Sequence, residues 1–338
     1  MEGFNELKKE DLKVVPNEEN KIRPITFNDY VGQEEIKSQL SIFIQAAKIK
    51  NMPLSHVLFY GPPGLGKTTL ATIIANEMGS KIHYTSAPAI EKPADLATLL
   101  LNLQDGDILF IDEVHRLKIQ TQEMLYPAME DRVLDIAIQG SRENKLVRLP
   151  LKNFTLVGAT TKPGKLSSPF RDRFKIQQQL KFYELNELKQ IVKRSAKICG
   201  LIIEDAAAEE IAQRSRGTAR ISNNLLLITG DYAIVENNYN VTLEIAKKAM
   251  DMMKIDEFGL DSLDRKVIYS LYVLNKNKPT GIRNLASSVQ EELETIENVV
   301  EPYLIQKNLI MRTERGRILT DIGINYAEKL VAENFAID

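Results

Sequence analysis

The most constraining stretch of the chain is Gly61-Pro62-Pro63-Gly64-Leu65-Gly66-Lys67-Thr68, which spells G-x-x-x-x-G-K-T directly after the apolar run Val57-Leu58-Phe59-Tyr60. A strand that feeds a glycine-rich turn and then a helix near Thr69 turns several backbone N–H groups toward one point, and that point suits a chain of phosphates. Gly61, Gly64 and Gly66 let the backbone close around oxygens, Lys67 can reach the outer phosphates, and the Thr68 hydroxyl can serve as a ligand of Mg2+. An incidental glycine turn is the bland alternative; the strand before the motif and the helix after it argue against that.

Later strands add to this reading. Ile108-Leu109-Phe110-Ile111 is an apolar run ending in Asp112-Glu113, as expected for a buried parallel strand whose C-terminal end faces the ligand. There Asp112 can hold Mg2+ through water while Glu113 polarises the water that attacks a γ-phosphate. Phe154-Thr155-Leu156-Val157-Gly158-Ala159-Thr160-Thr161 is a further buried strand ending in hydroxyls, placed to contact a γ-phosphate or its water. Arg171 and Arg173 follow on a polar turn and could bring positive charge to a phosphoryl-transfer site; a surface salt-bridge pair is the bland reading. Ahead of the motif, Tyr30 lies in a segment that can fold over the base of a nucleotide, or it is simply a packing aromatic. The fold class is therefore α/β with a parallel sheet.

Between Leu134 and Leu151 apolar residues alternate on both sides of a polar loop containing Gly140, the pattern of a β-hairpin. Either it is a plain surface hairpin, or its exposed edge docks a partner. From Glu187 to Lys247 the pattern is helical, with breaks expected at Gly200, Gly217 and Gly230, and Arg220 opens a helix from which it could reach back to the nucleotide. The last segment reads as a helix near 261–275, one near 283–289, a longer one over 292–305, and two short strands around Arg312-Thr313-Glu314-Arg315-Gly316-Arg317. Three helices and a β-wing form a winged helix, and Arg312, Arg315 and Arg317 could straddle a phosphate backbone; pure packing is the alternative.

At 338 residues, 43% hydrophobic and 27% charged, the chain is long enough for two or three domains. A net charge of -2 excludes a globally basic coat, so nucleic acid would have to be met by a local cluster. Cys199 is the only cysteine, which excludes an internal disulfide and a cysteine zinc site. Residues 1–20 form a polar leader expected to be flexible, without a signal-like apolar region, and no apolar run approaches the roughly 18 residues of a bilayer span; a cytoplasmic protein is expected.

Taken together, Gly61 to Thr68, Asp112-Glu113-Val114-His115-Arg116-Leu117, Tyr126-Pro127-Ala128-Met129-Glu130-Asp131, Gly158 to Thr161, Ser167 to Phe174 and Glu301-Pro302-Tyr303-Leu304-Ile305-Gln306 closely resemble the RuvB family, bacterial Holliday-junction branch-migration motors of the AAA+ class. The resemblance spans about residues 21 to 330. It implies an AAA+ P-loop core over 21–183, a small helical lid over 184–255 and a winged-helix domain over 256–338. It further implies a homohexameric ring that uses ATP, with ADP and Mg2+ in its cycle, to move Holliday-junction and duplex DNA in recombination, repair and the SOS response. RuvA would dock on the hairpin 134–151, with RuvC nearby.

Carried over by position, Lys67, Thr68 and Thr69 bind phosphates and Mg2+, Asp112 and Glu113 are the Walker B pair, and Thr161 resembles sensor 1. Arg173 resembles an arginine finger inserted into a neighbouring subunit, with Arg171 the other candidate, and Arg220 resembles sensor 2. Ile22, Arg23 and Tyr183, with Tyr30, flank the nucleotide; Glu130, Asp131 and Arg132 also fall beside it. Arg312 and Arg317 match DNA-contacting positions.

There are departures. Residues 224–230 lack the arginines usual in the lid helix, Leu293 stands where an arginine is usual, Arg132 replaces an aromatic, and Glu314 replaces a proline in the wing. Weaker intrinsic DNA affinity with a lower salt dependence is expected. Another AAA+ enzyme such as a clamp loader or unfoldase is disfavoured by the winged helix and hairpin, and a D-E-x-H helicase by the absence of a second set of parallel strands. A scaffold keeping an ATP-gated switch would commonly lack Glu113 or the finger arginine, and both are present.

Overall fold

The computed structural model describes residues 21–139 and 144–332, and the chain divides into two compact units. The leader, residues 140–143 between the two hairpin segments of the sequence, and the last six residues lie outside the described residues.

The first unit comprises Met1–Gly200 and Gly217–Asn223. It opens with helix α1 (Glu34–Ile49), which turns Ile36, Leu40, Ile44 and Ala47 inward at helical spacing. There follow β1 (Val57–Tyr60), α2 (Lys67–Met78), β2 (Ile82–Ser86), α3 (Pro93–Leu101), β3 (Ile108–Asp112) and α4 (Ile119–Glu130). The hairpin is β4 (Val133–Gln139) and β5 (Asn144–Pro150), antiparallel with Leu134 opposite Leu149. After β6 (Thr155–Thr160) come α5 (Ser168–Asp172), β7 (Ile176–Gln179) and α6 (Leu185–Ile198).

The sheet has five parallel strands in the order β2-β3-β6-β1-β7. This order places the ends of β1, β6 and β3 side by side, since Tyr60 pairs with Thr160 and Ile111 with Gly158. Both faces of the central strands are covered, and the six residues of β6 are all buried. Phe170 and Phe174 meet edge to face at 5.2 Å in the core beneath.

The second unit comprises Leu201–Arg216 and Asn224–Asp338. Its first part holds β8 (Ile202–Ile203), α7 (Asp205–Gln213), most of α8 (Ala219–Glu236), β9 (Asn240–Val241) and α9 (Leu243–Met252). The expected break at Gly230 is not there, because α8 runs through it. A Cβ on Gly230 would come within 2.7 Å of Leu201 Cδ1, so the glycine marks close packing rather than a helix end. Leu225, Leu226 and Ala233 are buried on this helix, so its uncharged stretch supplies apolar core.

The remainder is the winged helix: α10 (Ser262–Tyr269) continuing through a π-helical turn at Ser270–Leu274, α11 (Ile282–Ser288), α12 (Leu293–Thr295), a second π turn at Ile296–Val300, α13 (Glu301–Gln306), β10 (Ile310–Thr313), β11 (Gly316–Leu319) and α14 (Asp321–Ala332). The long helix expected over 292–305 therefore carries a widened turn just before Pro302, a residue with no N–H to continue the regular ladder. Leu293 packs against the core of Val267, Ile268, Leu271, Leu285, Val300 and Leu304, which accounts for an apolar residue at that position.

Candidate functional site

At the C-terminal edge of the sheet, β1 runs into the glycine turn and α2. Gly66 has φ 98°, and a Cβ there would meet the Tyr30 hydroxyl at 2.6 Å, so both backbone and space require glycine. α2 starts at Lys67 with no side-chain cap and no acidic residue in its first turn. Its leading N–H groups are thus open to an anion.

Lys67 is buried, its Nζ donating to the carbonyls of Gly61 at 2.9 Å and Pro62 at 2.8 Å. Burial pushes its ammonium down to about 8, against the opposing pull of Glu113 and Asp112, with Arg220 adding to the lowering. A phosphate beside it would favour the charged form further. Thr68 and Thr69 follow on the first turn of α2.

The carboxylates stand one strand beyond β6. The Glu113 N–H donates to Asp112 Oδ1 at 2.9 Å, and Glu113 itself has φ 50°, which swings its side chain out of the strand direction. The Thr161 hydroxyl donates to Glu113 Oε2 at 3.1 Å. His115 Nδ1 lies 3.0 Å from the same oxygen and 2.9 Å from Thr160 Oγ1. Burial lowers the His115 imidazole, with Glu113 pulling the other way. In the sequence His115 stands out only as a member of the stretch Asp112 to Leu117, since nothing in a single histidine signals that it bridges two strand ends.

Two tyrosines close the other side of the turn. Tyr183 O–H reaches the Tyr30 hydroxyl at 2.9 Å and the Leu65 carbonyl at 3.0 Å, and Tyr30 O–H reaches the Leu65 carbonyl at 3.1 Å. Each phenol has one proton, so the consistent arrangement is a relay from Tyr183 to Tyr30 to Leu65. Burial pushes Tyr183 up to about 12 and Tyr30 well above its ordinary value, so both remain donors. Arg194 holds the Ile22 carbonyl at 2.7 Å, while neighbouring Arg23 is exposed. Arg220 is tied to the glycine turn by its backbone, its N–H donating to the Gly64 carbonyl at 3.1 Å.

The remaining sequence candidates gather elsewhere in this unit. Arg173 donates to Glu130 at 3.2 Å, makes a further hydrogen bond to the Pro169 carbonyl, and lies 4.1 Å above the Tyr126 ring. Arg132, with φ 58°, sits over Phe154 at 4.8 Å with Nη1 3.1 Å from His56 Nε2. His56 immediately precedes β1, and its carbonyl accepts the N–H of Ile176 at the start of β7. This second group therefore lies toward the N-terminal edge of the sheet, whereas Lys67 lies at the C-terminal edge; the four residues of β1 alone span about 13 Å. Asp131, beside Glu130, is exposed.

In the second unit, Arg312 and Arg317 are cross-strand partners on the wing and both bond to Glu301. Arg315 is exposed at the turn between them, beside exposed Glu314. Glu301 was visible in the sequence only as part of a motif, and its partners lie too far along the chain for any helical or strand period to link them.

The profile described as the Holliday junction DNA helicase RuvB P-loop domain matches residues 22–180, the RuvB AAA lid domain matches 183–256, and the RuvB C-terminal winged helix domain matches 257–328. Among solved structures, a Lys-to-Arg variant of Thermotoga maritima RuvB is 44% identical with a TM-score of 0.83, covering 91% of this chain and 98% of that one. The chain belongs to the RuvB family. The Thermotoga maritima RuvB structure described as a Holliday junction branch migration motor is 43% identical, with a TM-score of 0.82 and coverage of 91% and 98%. The RuvB architecture of P-loop domain, AAA lid and winged helix thus runs through the chain in order, and no helix among the described residues is long and apolar enough to cross a membrane.

Proposed function

We propose that this RuvB-family chain is an ATPase that drives branch migration of Holliday junctions as a homohexameric ring. It would work in the cytoplasm with RuvA docked on the hairpin 134–151 and RuvC nearby, serving recombination, DNA repair and the SOS response. The observation that carries the reading is the separation of two half-sites. Lys67, Asp112, Glu113 and Thr161 converge at one edge of the sheet, while Arg173, Glu130 and Arg132 lie toward the other. An arginine held there cannot serve its own Lys67; it can serve that of a second copy, and repetition of such a head-to-tail contact closes a ring.

In this reading the N–H groups of the glycine turn and of α2 hold the phosphates of ATP or ADP, and Lys67 neutralises the outer ones. Bound Mg2+ would offset phosphate charge at Thr68 and Asp112. Glu113 accepts a proton from the attacking water, and Thr161 and His115 fix where its carboxylate points. Arg173 of the next copy meets the charge that builds on the transferred group. Ile22, Arg23, Tyr30 and Tyr183 enclose the nucleotide, Arg220 reports its state, and Arg312, Arg315 and Arg317 contact duplex DNA.

The test is ATP hydrolysis measured together with dissociation of a synthetic four-way junction, with and without RuvA, using Lys67→Ala as the blank. Both activities should need Lys67 and rise with RuvA. ATP turnover with an intact junction under every condition would sink the substrate assignment.

A further inference from the structure

Glu301 is 1% exposed, yet it is a carboxylate at the start of α13, directly after the π turn. Burying such a charge is costly unless it is paired and hydrogen-bonded. Its partners are on the wing. Oε1 accepts from Arg312 Nε at 2.6 Å and Arg317 Nε at 2.9 Å, and Oε2 accepts from Arg317 Nη2 at 3.0 Å. Burial alone would push the Glu301 carboxyl up, but the bonds from both arginines outweigh it and hold it below the usual carboxylate range.

The two arginines are not held alike. Arg317 is gripped at two points, its side chain is 16% exposed, and its backbone pairs with Thr280 in both directions, at 2.9 and 2.8 Å. Arg312 gives only Nε to the carboxylate, and its side chain remains 55% exposed. Directly opposed like charges across an antiparallel pair repel. The carboxylate between them offsets that repulsion and holds the Arg312 guanidinium by its Nε, leaving its terminal amino groups outside that bond and able to donate to a phosphate oxygen.

We propose that Glu301 is a positioning residue for DNA: it locks Arg317 into the wing as an ion pair and presents Arg312 to a backbone phosphate. This rests on the reading of the wing as a DNA contact. Simple charge counting gives the opposite sign, because removing an acid beside two arginines should tighten binding to a polyanion. Positioning says that it loosens binding.

The experiment is a salt series of affinity for a plain duplex, read by fluorescence anisotropy on the full chain, for wild type, Glu301→Gln, Arg312→Ala and the double variant. Arg312→Ala should weaken binding and lower the salt slope by about 0.9, one phosphate contact. Glu301→Gln should weaken binding roughly threefold to tenfold. The double variant should be no worse than Arg312→Ala within about twofold, since residues acting as a unit do not add. Circular dichroism checks that each variant is folded. Should Glu301→Gln misfold, Glu301→Asp keeps the charge and both arginines but draws the carboxylate back from Arg312; it should weaken binding by a similar factor, where charge counting predicts no change.

Binding by Glu301→Gln that is unchanged or tighter, while Arg312→Ala weakens it, overturns the positioning role and leaves the wing reading intact. So does full additivity. An unchanged affinity and slope in Arg312→Ala overturns the wing reading and the positioning role with it.

Discussion

The Thr161 hydroxyl donates to the Glu113 carboxylate across the ends of two strands, 3.1 Å apart. With His115 Nδ1 on the same oxygen, the side chain proposed to activate water is held from two directions. Thr161→Val removes one hold and keeps the volume close. The expected outcome is a kcat for ATP lower by roughly tenfold to a hundredfold with KM changed less than about threefold, because the contact orients a base rather than binding substrate. Steady-state turnover checks it; a change confined to KM would contradict it.

The relay from Tyr183 through Tyr30 to the Leu65 carbonyl has a built-in substitute. In Tyr30→Phe the Tyr183 hydroxyl, already 3.0 Å from that carbonyl, can turn to it directly. Each single phenylalanine variant should therefore cost less than about 1 kcal/mol, whereas the double variant leaves a buried carbonyl without either donor and should cost about 1–3 kcal/mol beyond the sum. Thermal melts of the four proteins decide between this and simple additivity.

His56 makes the first unit sensitive to acid. Its Nδ1 accepts the Leu156 N–H at 2.8 Å and its Nε2 lies 3.2 Å from the Met129 carbonyl, so the neutral ring carries its proton on Nε2. A second proton would break the bond to Leu156. Burial, with Arg132 adding to it, pushes the imidazole down to about 4. Below the ordinary value near 6.5 the unfolded chain takes up a proton that the folded chain refuses. Stability is therefore retained above pH 6.5 and lost as pH falls toward 4, by up to about 3 kcal/mol. Urea unfolding between pH 7 and 4 should show this slope in wild type and a shallower one in His56→Gln.

The wing turn sets a charge against its own arginines. Glu314 is exposed next to Arg315, and Glu314→Gln should tighten binding to plain duplex by a few fold. Anisotropy titrations at two salt concentrations test this; weaker binding would contradict it.

What the sequence shows clearly is what is local. The glycine turn, the apolar strand ending in Asp112-Glu113 and the strand ending in Thr160-Thr161 are each legible because neighbours in the chain define them, and the parallel sheet then brings their ends together. What it hides depends on distant partners. Gly230 looks like a helix break until Leu201 is seen packed against it. His115 is an ordinary histidine until β6 places Thr160 beside it. Arg132 falls in a motif associated with the nucleotide, yet in its own subunit it lies over Phe154 beside His56, at the far end of β1. Glu301 is one acid among many until the wing folds over it.

The central claim is that one copy supplies Lys67 and another supplies Arg173 to a single site. The most direct measurement mixes Lys67→Ala with Arg173→Ala in equal amounts and follows ATP hydrolysis and junction dissociation. Each variant alone should be nearly inactive. The mixture should recover about a quarter of the wild-type ATPase, the share of random contacts that join an intact Lys67 to an intact Arg173. No recovery in rings that demonstrably contain both variants, or full activity of Arg173→Ala alone, would contradict the account.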